Sequence, residues 1–393
     1  MSTPTTTAFI LRQLGAALLL SASGLALLAA PLQGQDADER PRPVEGEDFR
    51  VYDIGGRSSS FAAVLQTLSD TDVVLLGEEH DDVVGHRFEV ELLGAAYRRL
   101  QAEDGRGVIL SLEMFERDVQ YILAEYLDGT ISETHFLNSS RPWDGYEDHY
   151  RPLVEFSKEQ GLAVIAANAP RRYVNRVSRE GPESLQALSA TAKSFLPPLP
   201  YPGPSPEYRA QWDAVMAEAM AGSEPQADAG GDDAGVDDAG VDEADGDEAD
   251  GDEADGDEAD GNEADGDEAD GNEADGDEDR SGDDEATTQH YEMSPTVIYS
   301  QALWDASMGH AITSALGASP GSLVIHLAGS FHVQRGTGIP ERVADYSPGT
   351  RVLSIVMVSV NDIAAWDEQE HEGLGDFVVL TKAPEPVGDG SGN

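Results

Sequence analysis

The chain has 393 residues and contains no cysteine. This absence excludes disulfide bonds, thiolate metal sites, covalently attached c-type haem and lipidation at an N-terminal cysteine. Positive charge is also scarce, because 24 lysine and arginine residues stand against 76 acidic residues and give a net charge of -52. Nucleic-acid phosphates are bound mainly by lysine and arginine, so this balance argues against a nucleic-acid partner.

Long apolar runs are rare as well. A single run, "LGAALLLSASGLALLAA" over residues 14–30, follows Arg12. A weakly cationic start, an apolar segment and small residues at its end predict a secretory signal peptide over 1–34. An uncleaved membrane anchor is the alternative, although the run is at the short limit for spanning. We expect a periplasmic or secreted protein, not a lipoprotein, that contacts the membrane only through this segment.

The negative charge is concentrated in one segment. Residues 223–285 hold 31 acidic residues and one arginine, and residues 242–276 are seven consecutive copies of "DEADG" or "NEADG". Like charge at this density, with no large apolar residue, predicts a disordered insertion that cannot form a core. A low-affinity binding surface for divalent cations is the functional alternative, since carboxylate oxygens suit calcium.

The remaining blocks, 47–222 and 287–385, precede a polar tail over 386–393 and alternate strand and helix patterns. Strands are predicted over 72–77, 107–114, 162–168, 322–329, 350–360 and 376–383, the last as an edge strand. Helices are predicted over 83–103, 116–127, 147–160, 171–179, 183–193, 206–221, 295–316 and 339–346. Short apolar strands separated by helices predict an α/β fold with a mostly parallel sheet flanked by helices. There are more helices between 115 and 222 than the connections between parallel strands require, which predicts that some of them form a small helical cap.

Polar residues follow three of the predicted strands. Glu78 and His80 end the first strand, Glu113 ends the second, and the strand over 322–329 leads to His332. The carboxyl ends of parallel strands are where open sheets bind ligands, so we expect these side chains to converge. They could hold a divalent metal ion or act as an acid/base set around a substrate.

Nearby polar residues allow simpler interpretations. His326 lies inside an apolar strand and reads as a buried core residue. Glu79, Asp81 and Asp82 can cap the start of the next helix, where the helix dipole favours anions. His86, one turn into that helix, fits a functional and a structural role equally well.

Five stretches together resemble the ChaN-like haem-binding uptake family of the Tiki superfamily. They are "LLGEEHD", "LSLEMFERD", "RPWDGYEDHYRPLVEFSKEQGLAVIAANAPRR", "QALWDASMGHAI" and "LAGSFHV". The resemblance implies a parallel α/β sheet domain with a small helical domain, export to the cell envelope, and haem binding, in the family as a cofacial pair in a homodimer. Related branches of the superfamily are metal-dependent proteases and esterases. Their roles would fall here on Glu78, His80, Glu113 and His332.

Without cysteine, haem iron would need an axial histidine or tyrosine. The stretch "WDGYEDHYRP" offers Tyr146, His149 and Tyr150, and the flanking Arg141 and Arg151 could bind propionates. Tyr146 and Tyr150 are one helical turn apart and could equally be a packing pair. The sequence therefore leaves two functions open, an exported haem-binding protein of an uptake system and a metal-dependent hydrolase.

Overall fold

A computed structural model describes residues 41–222 and 296–384 of the chain. The predicted signal segment over 1–34, the acidic insertion over 223–285 and the tail over 386–393 lie outside these residues, as do 287–295 and 385. Within the described residues, no helix combines the length and the apolar character needed to cross a membrane.

Seven strands form one mostly parallel sheet. They are β1 (Phe49–Asp53), β2 (Val73–Glu78), β3 (Val108–Glu116), β4 (Ala163–Asn168), β5 (Leu323–Gly329), β6 (Val352–Val360) and β7 (Phe377–Lys382). Their order across the sheet is β1-β7-β6-β2-β5-β3-β4. Every neighbouring pair is parallel except β1 and β7, which run antiparallel. The predicted α/β class with a mostly parallel sheet is confirmed.

Helices cover both faces of this sheet. In chain order they are α1 (Phe61–Thr67), α2 (Val83–Ala96), α3 (Gln120–Leu127), α4 (Glu133–Ser140), α5 (Tyr146–His149), α6 (Arg151–Gln160), α7 (Arg171–Glu180), α8 (Ala190–Lys193), α9 (Pro206–Gly222), α10 (Val297–Ala318), α11 (Ile339–Tyr346) and α12 (Glu368–His371). Successive strand residues point to opposite faces. Val74 and Leu76 therefore join a core that includes α2 and α6, while Val73 and Leu75 join a core that includes α10 and α11.

Two expectations about the strands were wrong or incomplete. The strand predicted over 376–383 as an edge is β7, which lies inside the sheet between β1 and β6. The edge position belongs to β1, a five-residue strand that the sequence pattern did not predict. Its length explains the omission, because five residues give too few alternations to stand out from a loop.

Several predicted helices are shorter than their sequence patterns. The helix predicted over 147–160 is two pieces, α5 and α6, and Pro152 lies in the first turn of α6, where its missing N–H is tolerated. The helix predicted over 183–193 is a 3-10 segment, Pro182–Ala187, followed by α8. Ser189 begins α8 as its N-cap, since its hydroxyl accepts a hydrogen bond from the Ala192 N–H.

The helices that follow β4 have an apolar cluster of their own. Val174 and Val177 of α7 pack with Leu185 and with Ala302 and Leu303 of α10. In contrast, α3, α4 and α6 contribute to the main core beside the sheet. Whether the former group acts as the separate helical cap stays a prediction.

Candidate functional site at the carboxyl edge of the sheet

The order of the sheet places the three predicted strand ends side by side, because β2 neighbours β5 and β5 neighbours β3. Glu78 is the last residue of β2, and His332 ends a 3-10 turn that follows β5. Glu113 lies in β3 where its pairing with β4 shifts register, and its Oε2 accepts a hydrogen bond from the Gly329 N–H at 2.8 Å. Gly329 at the end of β5 is thus the centre of the group.

Gly329 also shows how close the two histidines come. A Cβ atom added at Gly329 would lie 3.2 Å from both Cε1 and Nε2 of His80 and 3.9 Å from Cδ2 of His332. The two imidazoles therefore flank the same glycine, and a side chain there would crowd the His80 ring. The structure brings together all four residues that the sequence predicted.

Each of these imidazoles is backed by a carboxylate. Nδ1 of His80 lies 2.8 Å from Oε1 of Glu78, and Nδ1 of His332 lies 2.7 Å from Oδ1 of Asp305 on α10. Both carboxylates are buried. Nε2 of His332 is 3.7 Å from Oε1 of Glu113. An imidazole that donates one N–H to a carboxylate is held in a fixed tautomer and orientation, which is the usual second contact of a metal-ligating or catalytic histidine.

Glu78 is the most connected carboxylate of the site. Its Oε1 also accepts a hydrogen bond from the Tyr150 hydroxyl at 2.7 Å. Burial alone would raise the pKa of Glu78, but the hydrogen bond from His80 and the charge of His86 outweigh it and hold the pKa below its usual value. Burial and the charge of Glu78 raise the pKa of the Tyr150 phenol, which keeps that group protonated.

Two side chains of α2, His86 and Glu89, form a second layer of the site beneath Glu78. Nδ1 of His86 is 3.1 Å from Oε2 of Glu89 and 3.6 Å from Oε2 of Glu78, and its Nε2 is 2.9 Å from the His80 carbonyl oxygen. Burial lowers the pKa of His86, but the charge and hydrogen bond of Glu89 and the charge of Glu78 raise it to about 9. Burial and the charge of Glu78 raise the pKa of Glu89 well above its usual value.

The two tyrosines proposed as haem ligands are buried. Tyr146 packs its ring edge-to-face against Phe115 and Phe136, and its hydroxyl is buried without a hydrogen-bond partner. Burial raises the pKa of its phenol. Tyr150 is turned inward toward Glu78. Neither phenolic oxygen reaches the surface in this conformation, so iron ligation by either would require a rearrangement.

The remaining haem-binding predictions fall on groups that already have partners. The imidazole of His149 is half-buried and stacks on His86 with ring centroids 4.2 Å apart. Arg141 forms 2.8 Å salt bridges with Glu116 and Asp118. Arg151 forms a two-point salt bridge with Glu133.

The accessible part of the site is an imidazole with aromatic neighbours. The His80 side chain is 33% exposed, and the Trp143 ring meets it edge-to-face with centroids 5.1 Å apart. The half-buried Phe331 ring is 5.5 Å from His332 and 5.9 Å from Trp212 of α9. Both histidines of the site therefore have an aromatic neighbour.

Other polar residues near the site have structural roles. His326 is fully buried, its Nδ1 is 2.9 Å from the Ser111 hydroxyl, and burial with the charge of His332 lowers its pKa to about 3. Its burial confirms the expectation of a core histidine, but its hydrogen bonding is incomplete, because Nε2 is buried without a partner. Asp82 is the N-cap of α2 and accepts a hydrogen bond from the Val84 N–H at 3.0 Å, while Glu79 accepts one from the Ser359 N–H.

Sequence reasoning missed Asp305 and Glu89. Asp305 lies within the stretch "QALWDASMGHAI", where a buried aspartate in an apolar helix was an available signal for a paired charge. Glu89 reads as an ordinary polar residue of an amphipathic helix, although it is fully buried.

An open, mostly parallel sheet with imidazoles and carboxylates gathered at its carboxyl edge defines an α/β protein with a candidate site for ligand binding or catalysis. Within that class, the sequence model of the family "Haem-binding uptake, Tiki superfamily, ChaN" matches residues 64–343. The chain belongs to this family.

The individual proteins that this chain resembles share little sequence identity with it. The solved structure described as cofacial heme binding to ChaN of Campylobacter jejuni has a TM-score of 0.52 and 15% sequence identity, and the match covers 87% of this chain and 100% of that one. It supports the fold. An erythromycin esterase EreC mutant in its open conformation matches with a TM-score of 0.37 and 10% identity over 86% of this chain and 84% of that one.

One curated relative is a plant protein. Protein RETICULATA-RELATED 5, chloroplastic, of Arabidopsis thaliana is 27% identical over 161 residues, which is 38% of this chain. The match spans 21% of that protein, about a fifth of its length.

Proposed function

We propose that this chain is an exported haem-binding protein of an iron or haem uptake system, located in the periplasm or secreted. Membership of the haem-binding uptake family over residues 64–343 supports the ligand. The observation that carries the proposal is His80, a partly exposed imidazole whose Nδ1 is bound to the buried carboxylate of Glu78.

The residues present fit haem. Haem iron takes an axial ligand from the protein, and in a chain without cysteine this is most readily histidine or tyrosine. The hydrogen bond to Glu78 assigns the Nδ1 proton of His80, so that Nε2 is the nitrogen that would ligate iron. Trp143 offers an aromatic face beside that imidazole.

Titration of the purified full chain with hemin tests the proposal. We expect a Soret band that saturates, and His80→Ala should shift that band and weaken binding by about tenfold or more. His135→Ala is the matched control, because His135 is an exposed histidine on α4 whose Nδ1 contacts Ser132. Wild-type protein that binds hemin no better than His80→Ala would contradict the role of His80.

The tyrosine alternative is tested in the same titration. Tyr146→Phe and Tyr150→Phe remove the phenolic oxygens with almost no change in volume. If either abolishes the Soret band while His80→Ala leaves it intact, the axial ligand is a tyrosine and the site opens on binding.

Export and assembly have their own measurements. We expect mass spectrometry of fractionated cells to find a mature chain that begins between residues 30 and 36. Recovery only in membranes, with Met1 still attached, would identify an anchor. Light scattering with and without hemin tests the proposed homodimer.

A metal-dependent hydrolase is the second candidate, favoured by one observation. His332 is oriented by Asp305 through Nδ1 and faces Glu113 through Nε2, as expected of a general base or a metal ligand. With Glu78 and His80, these residues are the proposed divalent-metal set. Cleavage of a chromogenic ester that is lost with chelator and in Glu113→Gln would favour this function, and activity insensitive to both would reject it.

A further inference from the structure

Beneath the partly exposed imidazole of His80 lies a group of three buried, ionisable side chains. Glu78, His86 and Glu89 are only 2%, 3% and 0% exposed. One ligand atom from each lies within 4.8 Å of the others. Among residues 41–222 and 296–384, no lysine or arginine forms a salt bridge with either glutamate; their salt-bridge partners are His80 and His86.

The hydrogen bonds of His86 direct one nitrogen into this group. Its Nε2 lies 2.9 Å from the carbonyl oxygen of His80, which can only accept, so Nε2 carries a proton. Nδ1 then faces the two carboxylates, 3.1 Å from Glu89 and 3.6 Å from Glu78. A backbone carbonyl that fixes the tautomer in this way is a common second contact of a metal-ligating histidine.

Two carboxylate oxygens in the same group are buried without a hydrogen-bond partner. They are Oε2 of Glu78 and Oε1 of Glu89. Buried polar atoms are rarely left without a partner, because the lost hydration is not replaced. When both are ionised, two carboxylates beside one imidazole carry more negative charge than that imidazole can balance in the interior, whereas a doubly charged cation would balance it.

We propose that Glu78, His86 and Glu89 form an inner binding site for a divalent transition-metal ion such as Mn2+, Fe2+ or Zn2+. Mixed carboxylate and imidazole ligands suit these ions. The site shares Glu78 with the outer set, which consists of Glu78, His80, Glu113 and His332, but it adds His86 and Glu89. It does not depend on haem binding. Because Glu78 and His86 both contact His80, the bound ion holds that imidazole in position.

Metal content of the full chain tests the proposal. The protein is stripped with chelator, reloaded with Mn2+ or Zn2+, and passed through a gel-filtration column in excess Mg2+ to displace ions from the acidic repeat. We expect wild-type protein to retain the ion and Glu89→Gln to bind it more than about tenfold more weakly. Unfolding temperature should rise on loading in wild-type protein and not in Glu89→Gln.

Two variants separate this site from its surroundings. Glu91→Gln alters the same residue type two positions along α2, where Glu91 pairs at the surface with Arg42 and Arg98, and should retain the ion. Glu113→Gln alters the outer set and should also retain it. Loss of the ion in Glu113→Gln but not in Glu89→Gln would place it in the outer set and overturn the proposal.

If Glu89→Gln fails to fold, a titration of the wild-type protein tests the proposal without any variant. Titration of the stripped wild-type chain with Co2+ should give visible absorption bands that differ from those of aqueous Co2+ and disappear on addition of Zn2+. Unchanged aqueous bands, or retention of no ion after gel filtration, would overturn the proposal and assign a proton to the Glu78–Glu89 pair instead.

Discussion

At the amino end of β2 a carboxylate meets a guanidinium group, whereas at the carboxyl end of the same strand a carboxylate meets an imidazole and a phenol. Asp72, which precedes β2, is bound by Arg351 through contacts of 3.0 and 2.8 Å. Glu78, at the other end of the same strand, is bound by His80 and Tyr150. Guanidinium stays protonated at any ordinary pH, while imidazole gains and loses protons and ligates metals. We therefore expect the amino edge to contribute mainly to stability and the carboxyl edge to carry the proposed binding site.

The largest effect on stability is expected at the amino edge. The Arg106 guanidinium donates hydrogen bonds to backbone oxygens that include Leu68, Thr71 and Gly321, and so ties together the starts of three strands. Arg106→Met should lower the free energy of unfolding by about 3 kcal/mol, since bonds from charged donors are the stronger ones. Urea unfolding measures this loss, and hemin binding should not change.

A matched surface arginine is the control for that variant. Arg87 donates to the Val83 carbonyl within α2 alone. Arg87→Met should change the unfolding free energy by less than about 0.5 kcal/mol. If Arg106→Met is no more destabilising than Arg87→Met, the amino edge is not the stabilising end of the sheet.

The carboxyl edge should instead respond to alkaline pH. The raised pKa values of His86 and Glu89 mean that the folded, metal-free chain holds more protons than the unfolded one. The contribution of His86 is complete below its unfolded pKa of about 6.5 and is lost as the pH rises through about 9, a change on the order of 2 kcal/mol. Urea unfolding in chelator between pH 6 and pH 10 measures it. A flat profile, or the same profile in His86→Gln, would contradict the assignment.

The convergence of the outer set could be predicted from the sequence, because it depends on the parallel direction of the strands. Glu78, Glu113 and His332 follow strands of a parallel sheet, and such strands end at one edge regardless of the details of packing. The position of Glu89 in the proposed inner site could not be predicted in this way. Whether Glu89 faces solvent or the core depends on how α2 rotates against the sheet, and a helix with apolar residues on most sides does not fix that rotation.

The sequence did not predict the role of Asp305 or the contact of Tyr150 with Glu78, for related reasons. Asp305 is 27 positions from His332, and the two meet only because α10 packs on the sheet beside β5. Tyr150 was predicted as a candidate haem ligand because it lies in the stretch "WDGYEDHYRP", and that role stays a prediction. Its hydroxyl donates a hydrogen bond to Glu78 in the interior. Which way a tyrosine points is decided by tertiary contacts that no local pattern encodes.

A smaller effect should separate the two tyrosines of the carboxyl edge. Tyr150→Phe removes a hydrogen bond to buried Glu78 and should lower the unfolding free energy by about 1.5 kcal/mol. Tyr146→Phe removes a buried hydroxyl that has no hydrogen-bond partner, so it should leave stability unchanged or slightly higher. Equal losses in both variants would mean that the Glu78 contact does not stabilise the fold.

The smallest effect is expected from Asp72, and it has the opposite pH dependence to His86. The side-chain hydrogen bond from Arg351 holds the pKa of Asp72 below its usual value. Its contribution is therefore present above the unfolded pKa of about 4 and is lost as the pH falls through the folded value. Because the pair is partly exposed, Asp72→Asn should cost only about 0.5 kcal/mol at pH 7, and the cost should shrink as the pH falls through the folded pKa of Asp72. Asp70→Asn is the control, since Asp70 is 95% exposed and 3.9 Å from the same arginine. A loss in Asp72→Asn that persists undiminished at pH 2 would show that the charge of Asp72 is not what stabilises this edge.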